Sequence, residues 1–285
     1  MWKKISILLE MIKFEHTVFA MPFALMGAFL AQGGLPAFNV FFWVVLAMVG
    51  ARTCAMGFNR IVDRRFDAVN PRTADRALPA GQVSLFESWL MVVLAGMLFF
   101  FACFMLNPLT LTIAPVALGL ALFYSLTKRF TWLCHLVLGI ALAFSPLGGW
   151  VAVAASLDDY PWILSLGVLF WVAGFDCVYA CLDADFDREA GLFSMPALFG
   201  RRNGFRVAVT FHVLAFLLFT LTGVQMGLNL WFYAGILVTG CALFYQHLIV
   251  NPRDLSRIQQ SFFSMNGLIA LTLFLATWIA LATAS

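Results

Sequence analysis

The 285-residue chain is 63% hydrophobic and 16% aromatic but only 11% charged, with a formal net charge of +3. Soluble globular domains carry about a quarter charged residues, so a water-soluble domain is excluded, as are a disordered chain, a disulfide scaffold and a nucleic-acid binder. A mean hydropathy of +0.94 and apolar runs of about twenty residues point instead to helices that cross a bilayer and satisfy their backbone hydrogen bonds internally.

The first residues, MWKKISILLEMIKFEH, are mixed in charge and precede no small-residue cleavage site, so the N-terminus reads as retained. With about twenty residues per span and Gly, Pro or charge clusters as punctuation, the sequence predicts nine transmembrane helices. They are expected at 16–33, 38–60, 84–106, 109–127, 132–154, 162–183, 205–225, 229–249 and 263–283, in one all-α integral membrane domain over residues 1–285. Short, nearly uncharged connections (33–38, 107–108, 156–161, 227–229) alternate with charged ones (60–82, Lys128 with Arg129, 183–206, 252–257). All 17 Lys and Arg, including Lys3, Lys4, Lys13 and Arg52, fall on the N-terminal side of this topology. The positive-inside rule makes that face cytoplasmic, consistent with the inner membrane of a bacterium, and an odd number of spans puts the C-terminus outside. The acids share the face, all but Asp158 and Asp159; the rule counts only basic residues, so their crowding needs another cause. The six cysteines include no CxxC and have apolar neighbours, and they read as reduced, buried residues.

One acidic cluster closes the second span, Asn59-Arg-Ile-Val-Asp63-Arg-Arg-Phe-Asp67. Spacing of four puts Asn59, Asp63 and Asp67 on one helical face, where two carboxylates repel. Alone, the cluster would read as a solvated helix end neutralised by Arg60, Arg64 and Arg65. A second cluster ends the sixth span, Asp176-Cys-Val-Tyr179-Ala-Cys-Leu-Asp183-Ala-Asp185-Phe-Asp187, with Asp176, Asp183 and Asp187 expected on one face. Asp176 lies inside the span, where a carboxylate costs about 2.5–3.5 kcal/mol at the bilayer centre; it is a functional candidate, with a hydrogen-bonded structural acid as the alternative. Hard oxygen ligands without His or Cys select Mg²⁺, which joins one or two carboxylates to a substrate's phosphates. Facing carboxylate pairs can thus clamp a diphosphate. Arg72, Arg76, Lys128 and Lys13 are candidates for the remaining phosphate charge, each with a topology-setting or headgroup charge as the competing reading. Arg52, two turns deeper than Asn59 on the same face, is a candidate for holding a carboxylate-bearing second substrate; a salt bridge to Asp176 or another internal acid is the alternative.

These residues resemble the UbiA superfamily of intramembrane aromatic prenyltransferases. NRIVDRRFD looks like its first motif NxxxDxxxD, YSLTK (Tyr124 to Lys128) like its YxxxK motif and DADFD like its second aspartate-rich motif; the loop NPRTADRALPAG is similar too. The likeness runs in order from about Lys13 to Asn266, and Asp176, Tyr179, Ala180, Asp183 and Asp187 reproduce the DxxYAxxDxxxD pattern of 4-hydroxybenzoate polyprenyltransferases. The resemblance implies a nine-helix bundle around a central cavity, Mg²⁺ on Asn59, Asp63, Asp67, Asp183 and Asp187, a polyprenyl diphosphate donor and an aromatic acid acceptor in ubiquinone or menaquinone synthesis. Arg60 departs from it, standing where many members have Asp, and so does His16, where a Lys is common.

On this reading Asp63, Asp67, Asp183 and Asp187 are catalytic through the departing diphosphate, which Lys128 and the loop arginines also stabilise. Tyr124 and Tyr179 offer aromatic faces to an allylic cation. A naphthoate acceptor stays open, as does an ion-coupled transporter, although transporter charges gather near the midplane on broken helices. A bilayer ligand-binding protein is a further option, and a CDP-alcohol phosphotransferase lacks its DGxxAR opening here.

Overall fold

A computed structural model describes residues 7–8, 10–12 and 17–284. The expectations placed on Lys3, Lys4, Lys13 and His16 fall outside them. The long helices are α1 (Thr17–Gln32), α2 (Phe38–Val69), α3 (Leu85–Leu106), α4 (Pro108–Thr127), α5 (Cys134–Ala154) and α6 (Trp162–Ala180). Two short helices follow, α7 (Ala184–Glu189) and α8 (Met195–Phe199), then α9 (Arg201–Gln225), α10 (Leu230–Ile249) and, after a π-helical turn at Ser261–Met265, α11 (Asn266–Ala282). Among the described residues there is no β-strand beyond one isolated bridge between Asn251 and Asp254.

Eight helices are long and apolar enough to cross a membrane: α2 to α6, α9, α10 and the stretch 263–282 that contains α11. The first expected span is represented by α1, of which the 16 residues Thr17–Gln32 are described. Three boundaries differ from expectation. α2 continues to Val69, and its 32 residues span about 48 Å, so its last turns carry the first acidic motif beyond the apolar segment. α6 stops at Ala180; a turn follows, and Asp183 is the N-cap of the separate helix α7. Asp176, Asp183 and Asp187 therefore do not share one helical face as expected. α9 starts at Arg201, before its expected beginning at 205.

Lipid tails give apolar side chains no reason to leave them, so helix association in a bilayer relies on close backbone approach and interhelical hydrogen bonds. Both occur between α1 and α5. A Cβ on Gly149 would lie 1.8 Å from the Ala24 carbonyl oxygen, and one on Gly27 would lie 2.0 Å from that of Pro146. Ser145 Oγ donates to the Ala20 carbonyl at 2.8 Å across the same contact. α2 packs on α3, α4 on α5, α5 on α6 and α6 on α9, while α11 joins α10 to α1. The largest apolar core unites α1, α5, α6, α9, α10 and α11 around Phe23, Trp171, Phe219 and Phe232, all fully buried. Phe23 centres its ring 5.1 Å from Trp171 and 5.8 Å from Phe219. This filled side of the bundle leaves the open space to α1 through α6. All six cysteines are free; five are buried as expected, but Cys241 is exposed.

Candidate active site

A cavity of about 850 Å³ opens at the end of the bundle where α2, α4 and α6 terminate. Its outer part is lined by Asn59, Asp63, Asp67, Arg72, Arg76, Lys128, Asp183 and Asp187, and its inner part by small and apolar residues such as Ala47, Ala51, Ala117, Leu138 and Leu142. Arg52, Tyr124, Asp176 and Tyr179 line the stretch between. The cavity thus contains every site residue that the sequence singled out among those described.

Local structure explains how the two motifs meet. α2 ends at Asn70, whose successor Pro71 cannot continue a helix. The Asn70 Oδ1 accepts from the Arg72 backbone N–H at 3.0 Å, and Thr73 Oγ1 donates to the Asp67 carbonyl at 3.1 Å, folding the loop back over the helix end. Asn70 Nδ2 then donates to Asp183 Oδ1 at 3.0 Å, a contact across 113 positions. Arg72 Nε donates to the same oxygen at 2.8 Å and Nη2 to Asp183 Oδ2, while its guanidinium carbon lies 5.5 Å from the centre of the Tyr179 ring. On the other side, α7 ends in a Schellman motif: Gly191 takes φ +69°, the Leu192 N–H donates to the Asp187 carbonyl at 2.7 Å, and the chain turns back. The Phe193 N–H reaches the Lys128 carbonyl at 2.7 Å, and Ser194 Oγ donates to Asp187 Oδ2 at 3.2 Å.

Each of the four motif aspartates is matched to its own cation: Asp63 to Arg129 at 2.9 Å, Asp67 to Arg76 at 2.7 Å, Asp187 to Lys128 at 2.8 Å, and Asp183 to Arg72. The competing reading, a helix end neutralised by Arg60, Arg64 and Arg65, does not describe this site. Arg60 Nε instead donates to the Met11 carbonyl at 3.0 Å and Arg64 Nη1 to the Ile61 carbonyl at 3.2 Å. Asn59 Nδ2 donates to Asp63 Oδ2 at 2.9 Å. Burial alone would raise the Asp183 carboxyl, but the Arg72 guanidinium and the Asn70 amide hold it below the usual carboxylate range. Burial alone would lower the Lys128 ammonium; Asp187 outweighs it and holds the ammonium above its ordinary value. Deeper in, Asp176 is held by His135, with Nδ1 2.6 Å from Oδ2, in place of the salt bridge to Arg52 that the sequence left open.

The model of the UbiA prenyltransferase family matches residues 20–268. The chain belongs to the UbiA prenyltransferase family. It is 31% identical over 252 residues to the 4-hydroxybenzoate octaprenyltransferase of Vibrio atlanticus (strain LGP32), covering 87% of this chain and 88% of that one. To the enzyme of the same description from Enterobacter sp. (strain 638) it is 33% identical over 246 residues, covering 86% and 84%. Among solved structures, the apo UbiA homologue from Aeropyrum pernix K1 superposes with a TM-score of 0.85 at 34% identity, covering 93% of this chain and 98% of that one. A UbiA homologue from Archaeoglobus fulgidus bound to DMAPP and Mg²⁺ shares the fold, with a TM-score of 0.77 at 16% identity over 97% and 99% of the two chains. The chain is therefore a membrane-embedded UbiA-family prenyltransferase.

The donor set of this UbiA-family site suits Mg²⁺: side-chain oxygens line the wall, and Asp67 Oδ2 is buried with no hydrogen-bond partner among the described residues. Among the described residues, no three His, Cys, Asp or Glu side chains converge on one metal position. That fits an ion that takes one or two carboxylates from the protein and its remaining ligands from phosphates and water. Sequence reasoning missed Asn70, Ser194 and His135 as site residues and treated Arg129 only as part of a charged connection. Asn70 and Ser194 had a usable signal, since Asn before Pro starts a turn and Ser before a short helix with Pro in its first turn is an N-cap. A single His in an apolar run gave none.

Proposed function

We propose that this UbiA-family prenyltransferase transfers a polyprenyl group from an isoprenyl diphosphate to 4-hydroxybenzoate, for ubiquinone or menaquinone biosynthesis, with Mg²⁺ as cofactor. The observation that carries the reading is one cavity that has four Asp–cation pairs at its polar end and an apolar inner part. It is supported by the names of the curated relatives, 4-hydroxybenzoate octaprenyltransferases, and by the A. fulgidus homologue of the same fold, which holds DMAPP and Mg²⁺.

Asn59, Asp63, Asp67, Asp183 and Asp187 are the residues that would hold Mg²⁺, which when bound neutralises charge on the departing diphosphate. Arg72, Arg76 and Lys128 exchange their aspartate partners for phosphate oxygens, giving charge-assisted hydrogen bonds where negative charge develops. The faces of Tyr124 and Tyr179 attract the allylic cation. Arg52 receives the acceptor's carboxylate, and the inner lining receives the isoprenoid tail, which can pass into the bilayer. The residues form one domain over 1–285, and the bias of all 17 Lys and Arg to one side puts the polar end at the cytoplasmic face of a bacterial inner membrane.

The test is transfer by purified protein in detergent with Mg²⁺, a labelled prenyl diphosphate, and a panel of 4-hydroxybenzoate, hydroxynaphthoates and other aromatic acids, followed by mass analysis. A ring-prenylated 4-hydroxybenzoate is expected. Failure with every aromatic acceptor overturns the reading, and exclusive use of a naphthoate corrects the acceptor.

A further inference from the structure

Asp176 lines the cavity but takes no part in the four ion pairs that surround the diphosphate end. It sits about one turn before the end of α6, and its only hydrogen-bond partner among the described residues is His135 in the first turn of α5. The His135 side chain is 0% exposed, whereas that of Asp176 is 15% exposed. The Met195 backbone N–H donates to His135 Nε2 at 3.3 Å. A backbone N–H can only donate, so Nε2 presents its lone pair and the ring proton sits on Nδ1, aimed at Asp176 Oδ2. The imidazole is thereby fixed at both edges, by α6 on one side and by the start of α8 on the other. With Oδ2 occupied, Oδ1 receives no hydrogen bond from any described residue.

A carboxylate kept within an apolar helix needs compensation, and a purely structural acid would gain by being enclosed with its partner. Here the partner is enclosed and the acid faces the cavity, between the arginine assigned to the acceptor and the diphosphate end. We propose that Asp176 takes the phenolic proton of the acceptor and that His135 is the positioning residue that keeps its carboxylate aimed at the ring. This rests on the aromatic-acceptor reading above. The hydroxyl passes its proton to Asp176 Oδ1, and the electron density released into the ring lets the carbon beside the hydroxyl bond to C1 of the donor. The C1–O bond breaks and the diphosphate leaves with its electron pair. The cyclohexadienone so formed loses its ring proton to the released diphosphate as Asp176 returns its own proton to the oxygen, which restores both phenol and carboxylate.

The test compares wild type with His135→Leu, which removes both ring contacts, and His135→Asn, whose amide keeps a donor near the Nδ1 position. Acceptors are 4-hydroxybenzoate and its ring-fluorinated analogues, whose hydroxyls are more acidic. Removing a whole general base slows a reaction by about 10²–10⁴-fold; loss of its positioning should slow kcat on 4-hydroxybenzoate by ~10–100-fold, with the donor KM within about twofold of wild type. The ratio of wild-type to His135→Leu kcat should shrink several-fold as the hydroxyl becomes more acidic, and His135→Asn should recover most of the rate. An equal loss across the series, a loss confined to the donor KM, or no rescue by Asn overturns the assignment. If His135→Leu does not fold, the same series on the isosteric Asp176→Asn decides, by the same criterion of a shrinking ratio. Absence of prenylated product from wild type with every phenolic acid overturns the acceptor reading and this inference together, whereas a uniform loss overturns the inference alone.

Discussion

Replacing Asp183 by Asn exchanges one oxygen for an amide nitrogen and keeps the shape of the side chain. Asp183 Oδ1 accepts from Asn70 Nδ2 at 3.0 Å and from Arg72 Nε at 2.8 Å, and Oδ2 accepts from Arg72 Nη2. The Asn carbonyl can keep the first two bonds, but its amide then faces the Arg72 Nη2 donor, so one charge-assisted bond is lost and another is weakened. A hydrogen bond to a charged group contributes about 1.5–3 kcal/mol. Because the Arg72 side chain is 30% exposed and solvent screens it, we discount this to ~1–2 kcal/mol for the ligand-free protein. A modest fall in Tm, a few degrees, should follow by intrinsic tryptophan fluorescence. Transfer should fall much further, by about 10²-fold or more in kcat, the scale seen when one preorganised charge-stabilising group is removed. The pH dependence is fixed in sign. The folded Asp183 carboxyl is held below its ordinary value by Arg72 and Asn70 against the opposing effect of burial, so its contribution is fully present above the unfolded value near 3.9 and is lost as pH falls through the folded value. The Tm gap between wild type and Asp183→Asn should therefore be level from about pH 5 to 8 and close in stronger acid. Product formation within about threefold of wild type, measured by mass analysis with saturating Mg²⁺, would refute the assignment of Asp183 to the diphosphate end.

Arg52→Ala should raise the KM for the aromatic acid with the donor KM little changed, measured by steady-state product formation; a weakened donor beside an unchanged acceptor KM would count against the assignment. Chelation with EDTA should stop transfer and added Mg²⁺ should restore it, so turnover that persists in EDTA would rule out the metal. Gly149→Ala puts a methyl group 1.8 Å from the Ala24 carbonyl oxygen, a backbone atom that cannot rotate away, and should destabilise the α1–α5 contact by about 1–3 kcal/mol. Gly148→Ala, with nothing within 4 Å of the new carbon, is the control; equal Tm values for the two variants would show that the close approach does not hold these helices together.

Positions of the membrane helices were legible because a bilayer leaves few choices: a run of about twenty apolar residues must hydrogen-bond to itself. Their ends were less so. Treating Arg60 as punctuation closed α2 too early, since a helix that leaves the hydrocarbon needs no apolar residues to continue, and Asn70 before Pro71 is what stops it. In α6 the opposite error arose. The four-residue spacing of acids from Asp183 to Asp187 looked like a continuation of the span, but Cys181 and Leu182 turn the chain, and the spacing belongs to the new helix α7.

Partners of the acids were legible only in kind. Arg60 and Arg64 stand three positions before Asp63 and Asp67, a spacing that allows a pair along the helix, yet they bond to the Met11 and Ile61 carbonyls and the cations of the first motif come from Arg76 and Arg129. Which cation reaches which acid depends on helix packing and loop closure, and neither has a period in the sequence. The pairing nevertheless limits what can bind. With Asp63, Asp67, Asp183 and Asp187 matched to Arg129, Arg76, Arg72 and Lys128, the polar end is nearly neutral, and a ligand that opens one pair leaves a charge exposed in a partly desolvated site. A free carboxylate satisfies only the cations, and a bare metal ion satisfies only the aspartates. A diphosphate carrying a divalent cation offers both, so the matched pairs themselves favour the donor over simpler anions.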